Sequence, residues 1–214
     1  MSAGRPIGRD PKRPTIALIH GGCWRQRYGR SLMRDLERDC HARGFAVQNL
    51  EYRRLGPLGG GGWPHTFDDV AEAVSAIDGP VVTVGHSAGG QLAVWAASLP
   101  NVVATVSQAG ILDLREASRL GVCGGQVDRL LHGRSDLYEQ ASPIERLPLG
   151  RPSLLVQGLD DQVVPPELAR RYHAAATAAG DACELVELAG VGHFEHIDPA
   201  TPAWRIVAEW LQGL

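Results

Sequence analysis

Short continuous apolar runs alternate with amphipathic stretches along the chain, and the runs are rich in β-branched and aliphatic residues. Thr15–Ile19, Val47–Tyr52, Val81–Val84, Val102–Val106, Ser153–Val156 and Cys183–Leu188 each read as a strand. A strand without polar alternation is covered on both faces, which suits a mainly parallel sheet. Between the strands, helices are marked by their ends. Leu32, Leu36 and Cys40 share one face of a helix that stops near Gly44. Thr66, followed by Asp69, is a candidate N-cap for a helix ending at Gly79-Pro80, and Pro165-Pro166 opens one that closes at Gly180. Asp198 and Pro199 are the expected cap and first-turn proline of the last helix. Six strands alternating with helices predict a doubly wound α/β domain with right-handed crossovers.

One stretch breaks the rhythm. Residues 113–152 carry two or three short helical patterns interrupted by glycine and proline, too long for a simple connection and too short for a domain. They are expected to form a small lid-like insertion. Residues 1–13 read as a polar tail, and 14–214 as one domain. With nothing but that tail before Thr15, the strand Val47–Tyr52 should lie at or near a sheet edge. A loop, the tail or the partner of a homodimer would cover it.

Composition narrows the picture. A chain of 214 residues with 44% hydrophobic and 21% charged residues can bury one substantial core. The formal net charge of −3 argues against a nucleic-acid partner. No apolar run approaches the roughly 18 residues of a membrane span, and the N-terminus lacks the apolar core of a secretory signal. The four cysteines, Cys23, Cys40, Cys123 and Cys183, have neither disulfide-scaffold density nor zinc-site spacing. They are read as free thiols of a cytoplasmic protein.

The sharpest chemical signal is Gly85-His86-Ser87-Ala88-Gly89, placed between a strand and a helix. That is the setting of a nucleophile elbow, where a strained turn lifts the serine hydroxyl above a helix N-terminus. A serine needs a base and a carboxylate to orient that base. Two later loops, each following a strand, offer them: Asp160 or Asp161 in Gly158–Pro165, and His193 or His196 after Gly190. Loops at the carboxyl ends of parallel strands converge at the usual site of open α/β sheets. A fourth element, His20-Gly21-Gly22-Cys23-Trp24, follows the first strand. Its glycines allow backbone N–H groups to approach a developing oxyanion, with Gly22 and Cys23 as donors beside Ala88. Trp24, Trp63 and Phe194 are candidates to line an apolar acyl pocket. His193-Phe194-Glu195-His196-Ile197-Asp198 is too thin a ligand set for a metal site, and no cofactor is expected.

Together these motifs resemble the α/β-hydrolase superfamily, and within it the kynurenine formamidase and hormone-sensitive-lipase-like esterase groups. The HGGxW motif of the former is matched by His20–Trp24, and a segment of the latter by Tyr52-Arg53, Trp63-Pro64 and Asp68-Asp69. The resemblance selects Asp161 over Asp160 and His193 over His196, and assigns oxyanion N–H groups to Gly22 and Cys23. It implies a serine hydrolase of a small ester or aryl formamide. The alternatives are an acyl transferase or cyclase with the same triad, and a ligand-binding homologue without catalysis.

Overall fold

The computed structural model describes residues 13–214. The expected tail therefore lies outside the described residues, save for Arg13, whose guanidinium sits 3.8 Å from the centre of the Phe45 ring. Six strands form one sheet: β1 (Thr15–Ile19), β2 (Val47–Leu50), β3 (Val81–His86), β4 (Val102–Gln108), β5 (Ser153–Gly158) and β6 (Cys183–Leu188). Their spatial order is β2-β1-β3-β4-β5-β6 and every pairing is parallel. β2 stands at an edge, as its sequence position implied.

Alternation along each strand divides the core between two faces. Ile16 and Leu18, with Val82, Val84, Val106, Leu154 and Val156, pack against α1 (Arg34–Ala42) and α8 (Pro202–Gln212). Ala17 and Ile19 point the other way, toward α2 (His65–Ser75) and α3 (Ala88–Trp95), and α7 (Pro166–Ala178) covers Leu155 on that side. The face of α1 is Met33, Leu36 and Cys40, with Leu32 only partly buried. α1 and α8 are joined by a hydrogen bond from Trp204 Nε1 to Asp39 Oδ2 of 2.6 Å, between residues 165 positions apart.

Two helix starts differ from expectation. α8 is capped by the side chain of Thr201, which leaves Pro202 as its first residue, while Asp198 closes the preceding turn onto the Ala200 N–H. Thr66 lies inside α2, where its hydroxyl accepts the Gly62 N–H and donates to the Arg53 carbonyl. In both cases a turn ahead of the helix took the polar side chain that local spacing had assigned to the cap.

The segment 113–152 forms α4 (Leu114–Arg119), α5 (Gln126–Leu130) and α6 (Tyr138–Ala141) with short 3-10 turns. Asp113 caps α4 through the Glu116 N–H and pairs with Arg171 of α7 at 3.0 Å. Gln91 of α3 donates to the Ala141 carbonyl at 2.8 Å, so the segment is fastened to the helix behind β3. Among the described residues no helix is long and apolar enough to cross a membrane.

Candidate active site

β1 and β3 are neighbours, and the chain leaves them toward opposite sides of the sheet. Their carboxyl ends therefore open a crevice, the place where open α/β sheets bind ligands. The loop Gly21–Trp24 and Ser87 both stand there.

Ser87 has φ 55° and ψ −120°, a conformation that non-glycine residues rarely adopt. It holds because the surrounding backbone is packed without room for side chains. A Cβ on Gly85 would lie 2.0 Å from the Gly89 carbonyl oxygen, and one on Gly89 would lie 2.1 Å from that of Ile19. Both glycines of the pentapeptide are thus sterically required. The Ser87 N–H donates to the Gln108 carbonyl at 2.8 Å, anchoring the turn to β4. Ala88 is the first residue of α3, so its N–H has no acceptor within the helix.

β5 and β6 deliver the other two groups. His193 Nδ1 donates to Asp161 Oδ2 at 2.7 Å, which leaves Nε2 as the basic nitrogen. Asp161 Oδ1 accepts the N–H groups of Val163 (2.7 Å) and Val164 (2.8 Å), and Gln157 Nε2 donates to Oδ2. Burial alone would push the Asp161 carboxyl up, but the hydrogen bond from His193 and those from Val164 and Val163 hold it below the usual carboxylate range. Asp160 is exposed and does not reach the histidine through its side chain. His196 is fully buried, and neither of its ring nitrogens has a hydrogen-bond partner among the described residues. Burial lowers its pKa to about 4. His86, within the pentapeptide, donates Nε2–H to the His193 carbonyl at 2.9 Å. Burial, then the charges of His193 and His196, push it well below the ordinary histidine value. It is a neutral prop behind His193, their ring centroids 4.6 Å apart.

Opposite Ser87, the backbone turns through Gly22 (φ 105°), Cys23 (φ 51°) and Trp24 (φ 55°). The Gly22 carbonyl accepts the Arg25 N–H and the Trp24 carbonyl accepts that of Leu55. Among the described residues the N–H groups of Gly22 and Cys23 have no acceptor. Gly22 also makes room for Tyr28, whose Cβ would lie 2.4 Å from a Cβ at position 22. His20 Nε2 contacts Glu51 Oε1 at 2.8 Å, and its ring stacks on Tyr52. These contacts fix the start of the loop.

Ser87 and His193 line one cleft of about 140 Å³ with Gly22, Cys23, Tyr28, Leu32, Val163, Phe194 and Ile197, and with Arg25 and Arg27 at its rim. Ser87 Oγ makes no hydrogen bond among the described residues; such bonds often tighten only when substrate is present. Phe194, 67% exposed, is part of this lining. The other two aromatics are corrected. The left-handed backbone at Cys23 and Trp24 turns the indole into the core, where it is fully buried and donates to Gln91 Oε1 at 3.2 Å. Trp63 packs on Phe67 under the segment 113–152, its carbonyl accepting from His132. Neither lines the cleft. The free-thiol expectation is corrected too: Cys23 and Cys123 form a disulfide, and only Cys40 and Cys183 are free. The argument for a cytoplasmic protein drawn from free thiols no longer holds. Tyr28, Leu32, Val163, Ile197 and the two arginines had no motif to announce them. Their proximity to the HGGxW motif or to the acid and histidine loops was the one available signal.

Several solved structures share this architecture. A thermophilic esterase from Thermogutta terrifontis, Est2, aligns over 98% of this chain and 84% of its own, with a TM-score of 0.76 and 22% identity. A truncated carbohydrate esterase from gut microbiota aligns over 97% and 88%, with a TM-score of 0.80 and 18% identity. An esterase/lipase from an uncultured bacterium aligns over 98% and 79%, with a TM-score of 0.75 and 21% identity. No curated protein matches the chain by sequence. The model of the prolyl oligopeptidase family (Peptidase_S9) matches residues 65–211, which span α2 to α8 and include Ser87, Asp161 and His193. With most of its length matched by that model, and with the elbow and strand-end loops in place, the chain belongs to the prolyl oligopeptidase family of α/β-hydrolase-fold serine hydrolases.

Proposed function

We propose that this protein hydrolyses small esters or aryl formamides with short acyl groups through an acyl-enzyme on Ser87. The observation that carries the reading is the small cleft in which Ser87 and the Asp161-bound His193 stand together. In the first step Ser87 Oγ attacks the acyl carbon while His193 Nε2 takes its proton. The negative charge on the acyl oxygen is met by the N–H groups of Gly22, Cys23 and Ala88. Asp161 stabilises the imidazolium without taking the proton. Collapse expels the alcohol or amine, which receives that proton. Water then attacks the acyl-enzyme by the same route, releasing the acid and restoring Ser87.

A cleft of about 140 Å³ is well below the roughly 300–1,000 Å³ of drug-sized sites, so it suits formyl to butyryl groups. Each buried methylene contributes about 0.8 kcal/mol, and a cleft that buries few cannot favour long chains. The esterases of like fold support an ester over a peptide.

The test is kcat/KM across p-nitrophenyl esters from acetate to palmitate, beside an N-formyl aromatic amine and an alanyl-prolyl anilide. A maximum at acetate to butyrate, or on the formamide, is expected. Ser87→Ala should lower turnover by roughly 10³-fold or more and abolish fluorophosphonate labelling. A maximum at long acyl chains or on the anilide, or undiminished labelling of the alanine variant, would overturn the reading.

A further inference from the structure

Beside the catalytic cleft lies a second, larger hollow of about 680 Å³, lined by Arg25, Gln26, Arg27, Leu55, Gly56, Pro57, Gln126 and Arg129. Arg25 and Arg27 line both spaces. Neither lining contains an aspartate or glutamate. Arg25, Arg27 and Arg129 also lack an ion-pair partner among the described residues. In a chain of net charge −3, three uncompensated guanidinium groups around one hollow form a local reversal of sign.

The arginines are held rather than merely present. Arg25 Nη2 donates to the carbonyl of Cys123, whose sulfur is bonded to Cys23. Its Nε is buried with no acceptor among the described residues. The Arg27 guanidinium rests over the Tyr28 ring, 4.7 Å from its centre, and Tyr28 itself lines the cleft.

We propose that this hollow is a subsite for a carboxylate on the leaving portion of the substrate. The inference rests on the ester-hydrolase reading, and it names the class: short-acyl esters of a hydroxy acid. The small cleft takes the acyl group, and the larger hollow across Arg25 and Arg27 takes the rest. Planar guanidinium groups accept a carboxylate through two parallel hydrogen bonds, which orients the leaving oxygen as well as binding it.

The experiment compares para-acetoxybenzoate with its methyl ester, two substrates with the same acetyl group that differ in the anionic charge. Wild-type kcat/KM should favour the carboxylate by about tenfold at low salt, and the ratio should fall as salt rises. In Arg27→Gln/Arg129→Gln the ratio should fall to about threefold or less, Arg25 being left in place, while Arg27→Lys/Arg129→Lys retains more of it because the charge remains. Circular dichroism of each variant confirms folding. In parallel, para-hydroxybenzoate and its methyl ester are titrated into Ser87→Ala by calorimetry. No preference for the charged form in either measurement would overturn the subsite. Preferential binding of the charged form without turnover of any ester would uphold the subsite and overturn the hydrolase reading. An arginine-independent preference for the carboxylate would also overturn the assignment to this hollow.

Discussion

On one wall of the cleft Ser87, Asp161 and His193 stand where β3, β5 and β6 end, and each is placed by close backbone packing and short local hydrogen bonds. On the other wall, Gly22, Cys23 and Arg25 belong to a loop that leaves the sheet and is tied to residues far away in sequence. Its fasteners are the Cys23–Cys123 disulfide, the Arg25 contact with the Cys123 carbonyl and the Trp24 contact with Gln91. The first wall is a property of the sheet itself, whereas the second is held by contacts to Gln91, to Leu55 and to the segment 113–152. The nucleophile, base and acid thus stand on the rigid wall, while the oxyanion donors Gly22 and Cys23 and the arginines that flank the cleft stand on the fastened one.

The largest effect that could break this division concerns the acid. Asp161→Asn should lower kcat by roughly 10³-fold or more, because the amide cannot stabilise an imidazolium on His193. Asp160→Asn should cost less than about tenfold, its carboxylate being exposed and away from the histidine. Steady-state kinetics on p-nitrophenyl acetate distinguish the two. Equal losses would mean that the strand-end wall is not placed as described.

A smaller effect is expected on the fastened wall. Cys123→Ala should lower stability by about 2–4 kcal/mol, since the bridge closes a loop of 100 residues. The midpoint of thermal unfolding should fall by several degrees, and a reductant should produce the same fall in the wild type and none in the variant. Catalysis should suffer modestly, in kcat as well as KM, because Gly22 and Cys23 of this loop supply oxyanion N–H groups. A collapse of kcat to the level of Asp161→Asn would show that the two walls are not separable.

The smallest effect sharpens the rigid wall. His196 is kept neutral, with a folded pKa of about 4 against about 6.5 when unfolded. Between those values the unfolded chain binds more protons, so stability is lost as pH falls from about 6.5 toward about 4, and is fully present above. His86, lowered by burial in the same direction, adds to that loss. In His196→Phe the acid-side decline should be shallower by roughly 1 kcal/mol near pH 5.5. Thermal melts across that range measure it, and an unchanged slope would remove His196 from the account.

The same contrast explains what the sequence disclosed. β1, β3, β4 and β5 were legible because buried parallel strands announce themselves as apolar runs, although β3 and β5 continue into Gly85-His86 and Gln157-Gly158, where apolar residues give out. The edge strands β2 and β6 are half-exposed and mix polar with apolar residues. The elbow was legible because steric demand forces glycine at fixed offsets. The second wall was not. A disulfide between residues 100 apart has no local signature, and a tryptophan at a left-handed position can face either way. Arg25, Arg27 and Arg129 come together only when the loop and α5 are assembled, so spacing carries no trace of their convergence.

The bond between Asp39 and Trp204 has a consequence for how the protein is made. During vectorial synthesis α1 emerges early, but its apolar face, Met33, Leu36 and Cys40, shares a core with Trp204, Val207 and Leu211 of α8. Until that helix has been synthesised, this apolar face of the growing sheet lacks its cover, and the last, eleven-residue helix completes the core.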